Sequence, residues 1–255
     1  LYATVAYEGL KIFDISNPYE LKEIANYKNG SYFFNVFVAR DHAYIATENS
    51  MEILDITSPH EPRLVSSYTG TFFGKIQVLN NNLYASGGSN FYIFDISNPS
   101  SPVLKGTYSL DFFSSFFVNG KYAYLTDTRE GFHVLDVSVP ESPVKVGFCS
   151  LREEYPIYHS RNIFIYGEYA YVSNGVQGIL AINILASPFI QYTKSIEENE
   201  VRYLYASEKY IYATTASAST RSVKIFDIPY LENEVGTYNF NEEIFILEVF
   251  GQHLP

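Results

Sequence analysis

Tryptophan is absent from this chain of 255 residues, and cysteine and methionine occur once each. With Cys149 alone, no intramolecular disulfide framework and no site built on paired thiolates is possible. Beside Val146 and Phe148 it reads as a small buried hydrophobe. Basic residues are scarce: 17 Lys and Arg stand against 28 Asp and Glu, for a net charge of −11. That balance argues against nucleic acid, whose binders need cations to replace phosphate counterions, and disfavours anionic membrane surfaces. No apolar run approaches the roughly 18 residues of a spanning helix, so no membrane insertion is expected. An apolar helical period is missing throughout, and β-branched and aromatic residues dominate every apolar run.

The abundant residues are aromatic: 24 Tyr and 20 Phe. They accompany a short run that returns at nearly constant distance. Gly-Leu-Lys-Ile-Phe-Asp-Ile-Ser-Asn-Pro at residues 9–18 has relatives at 51–59, 91–99 and 132–140, and weaker ones at 179–184 and 223–229. The anchor positions are Asp14, Asp55, Asp95, Asp136, Asn183 and Asp227, separated by 41, 40, 41, 47 and 44 residues. Counting from Asp227 through the C-terminus and on from Leu1 to Asp14 gives 42, so the chain ends fit together as one more unit. A period of about 40–45 with four strand signals per unit predicts a β-propeller. The fold class expected is all-β: a single-domain, six-bladed propeller of four-stranded antiparallel blades. The N-terminal unit lacks its inner strand and residues 244–250 form a spare one, so the first blade is expected to be shared between 1–30 and 242–251.

These units, with Tyr-Ala-Tyr before and Ser-Asn-Pro-x-x-Pro after the aspartate, resemble the LVIVD-repeat propellers of bacteria and archaea. Many of those are exported or attached to the cell surface, so the resemblance implies an extracellular or cell-surface location. The absence of a starting Met is what a processed exported protein, or part of a longer chain, would show. The repeated aspartate reads as structural: at a strand end before Ser-Asn-Pro its carboxylate can accept N–H groups of the turn, and Asn183 can do the same.

In such a scaffold the loops at residues 29–34, 69–74, 109–114, 150–160, 197–202 and 239–243 share one face. Three carry paired rings, Phe33 with Phe34, Phe72 with Phe73, and Phe112 with Phe113; the other three carry glutamates, including Glu153 and Glu154. A partner's apolar groups would meet the rings and its basic groups the acids; the alternative is that the rings plug the loops from beneath. The longest spacing places Arg152, Glu153, Glu154, Tyr158, His159 and Arg161 in one segment, the best single candidate for a polar site. Asn35, Lys75, Ser115, Asn162 and Tyr203 begin the inner strands and are candidates to face a central channel. No catalytic set, no metal-ligand spacing among the five histidines and no cofactor motif is present, and His133, within a strand, reads as core. The expected role is therefore a non-enzymatic protein or glycan interaction or assembly module, self-assembly included. A carbohydrate-active hydrolase or lyase at the channel mouth and a structural subunit of an extracellular polymer are the alternatives.

Overall fold

A computed structural model describes residues 1–17, 19–150, 162–175, 178–185, 191–196, 200–206, 209–216, 221–228 and 234–240. Among them, 23 strands form six antiparallel sheets, and there is no helix. The first sheet holds β1 (Tyr2–Val5), β2 (Gly9–Asp14) and β3 (Lys22–Tyr27). The second holds β4 (Phe33–Ala39), β5 (His42–Thr47), β6 (Ser50–Asp55) and β7 (Arg63–Thr69), and the third β8 (Lys75–Leu79), β9 (Asn82–Gly87), β10 (Asn90–Asp95) and β11 (Val103–Ser109). The fourth comprises β12 (Phe113–Asn119), β13 (Tyr122–Asp127), β14 (Gly131–Asp136) and β15 (Val144–Ser150). The fifth comprises β16 (Ile163–Tyr166), β17 (Tyr169–Ser173), β18 (Ile179–Asn183) and β19 (Gln191–Ile196), and the sixth β20 (Glu200–Ala206), β21 (Tyr210–Ala216), β22 (Arg221–Asp227) and β23 (Glu234–Phe240). Every sheet is hydrogen-bonded in chain order, as in the blades of a propeller, and the fold is a six-bladed β-propeller. Residues 244–250, expected to complete the first blade, lie outside the described residues. Among the described residues no helix is long and apolar enough to cross a membrane.

By compactness the chain divides into two units, Leu1–Phe113 with Val137–Pro143, and Ser114–Asp136 with Val144–Pro255. Cores within each lie between sheets. Because side chains alternate along a strand, one blade feeds two cores. In the first unit, Ala43, Ile45, Leu54 and Ile56 join Leu10, Ile12 and Phe33, whereas Tyr44, Ala46, Met51 and Ile53 join Phe73, Ile76, Leu83 and Phe94. In the second, Tyr124, Phe132, Val134 and Cys149 meet Ile163, Val172 and Leu180, while Tyr171, Ile179 and Ala181 meet Val201, Ile211 and Phe226. The rings thus fill the space between blades.

The anchor residues cap their turns. Asp14, Asp55 and Asp95 accept the N–H of Ser16 (2.9 Å), Thr57 (2.8 Å) and Ser97 (2.9 Å), and Asn183 accepts that of Leu185 at 2.9 Å. Those backbone bonds, above all, hold the three carboxyls below the usual carboxylate range. Asparagine serves equally because the bond needs an oxygen, not a charge. A bulge slips the outer strand of every sheet at the same place, for example after Ile12, Ile53 and Ile93. The small residue opposite that slip receives the next unit's proline turn: Ser66 Oγ donates to the Pro99 carbonyl at 2.6 Å, and a Cβ on Gly106 would overlap the carbonyl oxygen of Pro140.

Four of the residues that begin inner strands are fixed through their backbone by a hydroxyl 11 residues onward. Ser86 accepts from Lys75, Thr126 from Ser115, Ser173 from Asn162 and Thr214 from Tyr203, at 2.9–3.1 Å. In the second sheet Ala46 pairs with Asn35 and has no hydroxyl; there the Asn35 side chain accepts the Ile76 N–H instead, at 2.9 Å.

Candidate functional site

The paired rings divide into one inward and one outward member. Phe33 and Phe73 each stand 22 residues before their anchor, Asp55 and Asp95. Each donates its N–H to the carbonyl at the end of the preceding blade's second strand, Phe33 to Ala6 at 3.0 Å and Phe73 to Thr47 at 3.1 Å. Both side chains are buried, Phe73 completely. These two of the six rings expected on a binding surface are therefore core residues. Phe34 and Phe72 point outward, 38% and 42% exposed. Phe112 is likewise exposed, while Phe113 is half-buried and meets Phe91 edge-on at 6.4 Å.

The outward rings form a row that sequence spacing did not reveal. Tyr7, 64% exposed, meets Tyr32 at 5.0 Å, Tyr32 meets Phe34 at 4.6 Å, and Phe34 meets Phe72 at 4.9 Å, the first and last pairs edge to face. Arg152, Glu153, Glu154, Tyr158, His159 and Arg161 lie outside the described residues.

Phe72 also borders a cleft of about 680 Å³, within the range typical of small-molecule sites. Three connecting segments converge there: residues 29 and 31 before β4, Glu48 and Asn49 between β5 and β6, and Thr69 at the end of β7 with 70–72 after it. Ser50, Glu52 and Ser67 complete the lining. Glu52 is buried, and the sequence reading did not single it out. Its Oε1 accepts Asn29 Nδ2 at 2.7 Å and Ser50 Oγ at 3.4 Å, and its Oε2 accepts the Tyr27 hydroxyl at 3.1 Å. Burial, and then the Glu52 carboxylate, hold the Tyr27 phenol protonated well beyond its ordinary range. Glu48 Oε1 accepts the Tyr32 N–H at 3.1 Å, tying the cleft to the aromatic row. The signal for Glu52 was a carboxylate between Met51 and Ile53 in a strand apolar on both faces. The position three before each anchor varies as Lys11, Glu52, Tyr92, His133, Leu180 and Lys224, and that variability hid it.

Gly87 sets where the Phe72 loop sits. A Cβ on Gly87 would overlap the Phe72 carbonyl oxygen and come within 3.1 Å of the Tyr92 ring. Gly87→Ala is expected to push residues 70–74 outward, cost about 1–3 kcal/mol of stability through overpacking and so lower the melting temperature, and weaken any ligand held by Phe72, as thermal unfolding and binding assays would show. Among the described residues no His, Cys, Asp and Glu side chains are grouped to hold a metal.

Comparison with known proteins agrees with the propeller fold. The family profile described as the LVIVD repeat matches residues 1–29, 33–70, 74–109, 114–150 and 159–184. No curated protein matches the sequence. Among solved structures, a protein from Lactobacillus plantarum shares 12% identity with a TM-score of 0.79, covering 92% of this chain and 80% of that one. The computationally designed Ika8 protein (9% identity, TM-score 0.66, 93% and 70% covered) and a chain of the Mitotic Checkpoint Complex (10%, 0.68, 89% and 72%) are also similar. At such identities the likeness is one of fold alone.

Proposed function

The chain belongs to the LVIVD-repeat family, and we propose that it serves as a non-enzymatic interaction module of an exported or cell-surface protein, capturing a protein or glycan partner on the face that carries the Tyr7–Tyr32–Phe34–Phe72 row. The observation that carries this reading is the exposure of Tyr7, Phe34 and Phe72, joined into one row through Tyr32, with Phe72 at its end lining a polar cleft. Isolated exposed hydrophobes are ordinary on protein surfaces; a contiguous row beside a concavity is a recognition feature. Rings also suit contacts because they bury much area while losing little side-chain freedom. The acidic balance favours partners that are neutral or basic.

The test replaces Tyr7, Phe34 and Phe72 together with serine. Material retained by the native protein from its source should be lost by the variant while the melting temperature holds. Unchanged capture would overturn the reading.

A further inference from the structure

We propose that the cleft beside Phe72 binds a neutral oligosaccharide. This inference rests on the interaction reading above and names the ligand of that same face. The argument begins with which polar groups remain unspent. The side chains of Ser31, Asn49, Ser67, Thr69 and Thr71 line the cleft and make no hydrogen bond among the described residues. Each can both donate and accept. A sugar hydroxyl does the same, so a polyhydroxylated ligand can satisfy the amide and the four hydroxyls without leaving an unpaired group of either kind.

The charges decide against the other polar ligands. No lysine or arginine lines the cleft, and two carboxylates do, which disfavours phosphate, sulfate and uronic acids. A cation fares little better. Both oxygens of Glu52 are already taken by Asn29, Ser50 and Tyr27, and one oxygen of Glu48 is taken by the Tyr32 N–H. What remains for a ligand is one carboxylate oxygen among five neutral donor-acceptor groups. Glu52 thus acts as a positioning residue: it fixes Asn29, whose Oδ1 accepts the Ser31 N–H at 2.8 Å, and so shapes the part of the lining that residues 29 and 31 supply.

The apolar side of the lining completes the match. A sugar ring has polar edges and C–H faces, and Phe72 offers an aromatic surface at the cleft's border, with Phe34 4.9 Å beyond it. A chain of sugars can therefore keep its hydroxyls in the cleft while its next units follow the row toward Tyr32 and Tyr7.

The experiment titrates the purified intact chain by calorimetry with neutral oligomers of glucose, N-acetylglucosamine, mannose and galactose, with an oligomer of uronic acid, and with an arginine-rich peptide. Saturable binding of at least one neutral oligomer is expected. Asn49→Ala combined with Thr71→Val should weaken it by about tenfold or more, the worth of one or two hydrogen bonds, with the melting temperature unchanged. Phe72→Ala should weaken it as well. Binding that survives both variants, preference for the peptide, or no binding by any neutral oligomer overturns the proposal. If capture from the native source still depends on the ring row in that last case, the interaction reading stands and only the glycan assignment falls; if capture fails too, both fall.

Discussion

Phe73→Ala should cost about 3–5 kcal/mol of stability, whereas Phe72→Ala, one residue away, should change it by no more than about 0.5 kcal/mol and act on binding instead. Phe73 is fully buried and lies edge-on to Tyr68, Tyr92 and Phe94, with centroids 6.3, 5.5 and 6.2 Å away. Truncation leaves a cavity in a core drawn from two sheets, which close packing on both sides prevents from collapsing. Phe72 touches Phe34 and the cleft, and water already reaches much of its ring. Denaturant unfolding of the two variants measures the difference. Equal losses would mean that the outward ring also holds the blades together, and a ligand role for it would then lack support.

The second large effect is expected at His133. The side chain is 1% exposed, and neither ring nitrogen has a hydrogen-bond partner. Phe148 meets it at 4.9 Å, and Glu130 Oε2 lies 3.6 Å from Nε2, beyond a good hydrogen bond. Burial first, and the Lys145 charge second, press its pKa from 6.5 down to about 4, with Asp127 acting the other way. The folded state therefore holds the imidazole neutral where the unfolded chain would bind a proton. The stabilisation is complete above pH 6.5 and drains away as pH falls toward 4, by about 3 kcal/mol in all. His133→Leu cannot titrate, so its stability should fall less across that interval. Urea denaturation of both proteins above pH 6.5 and near pH 4 checks this, and parallel losses would mean that His133 is charged or solvated when folded.

The repeat also explains which features were readable beforehand. Four anchors stand at spacings of 41, 40 and 41, so the turn caps, the strand order and the proline turns follow from pattern alone. Asn183 was expected to make the aspartate's bond, and it does. The rings were harder. In a strand, neighbours face opposite sides, but the pairs sit where a loop becomes a strand, and that alternation gives no fixed starting phase. The outward ring follows its buried partner in one pair, Phe34 after Phe33, and precedes it in the other, Phe72 before Phe73. What sets the phase is the backbone bond from Phe33 or Phe73 to the preceding blade, a contact between segments 27 and 26 residues apart. Counting back 22 residues from each anchor would have paired Phe33 with Phe73 and Tyr32 with Phe72.

By itself the sequence determined the number and kind of blades, because a recurring apolar run closed by a capped turn can bury its faces only against copies of itself. The cleft was decided by tertiary structure alone. Asn29, Glu52 and Phe72 belong to different units of the repeat, none is unusual in its own segment, and only the approach of adjacent blades gives Glu52 its donors Asn29 and Tyr27 and sets Phe72 at the border of a shared cavity. Local pattern fixes how each unit folds; which side chains face one another across the gap depends on the docking of one sheet on the next.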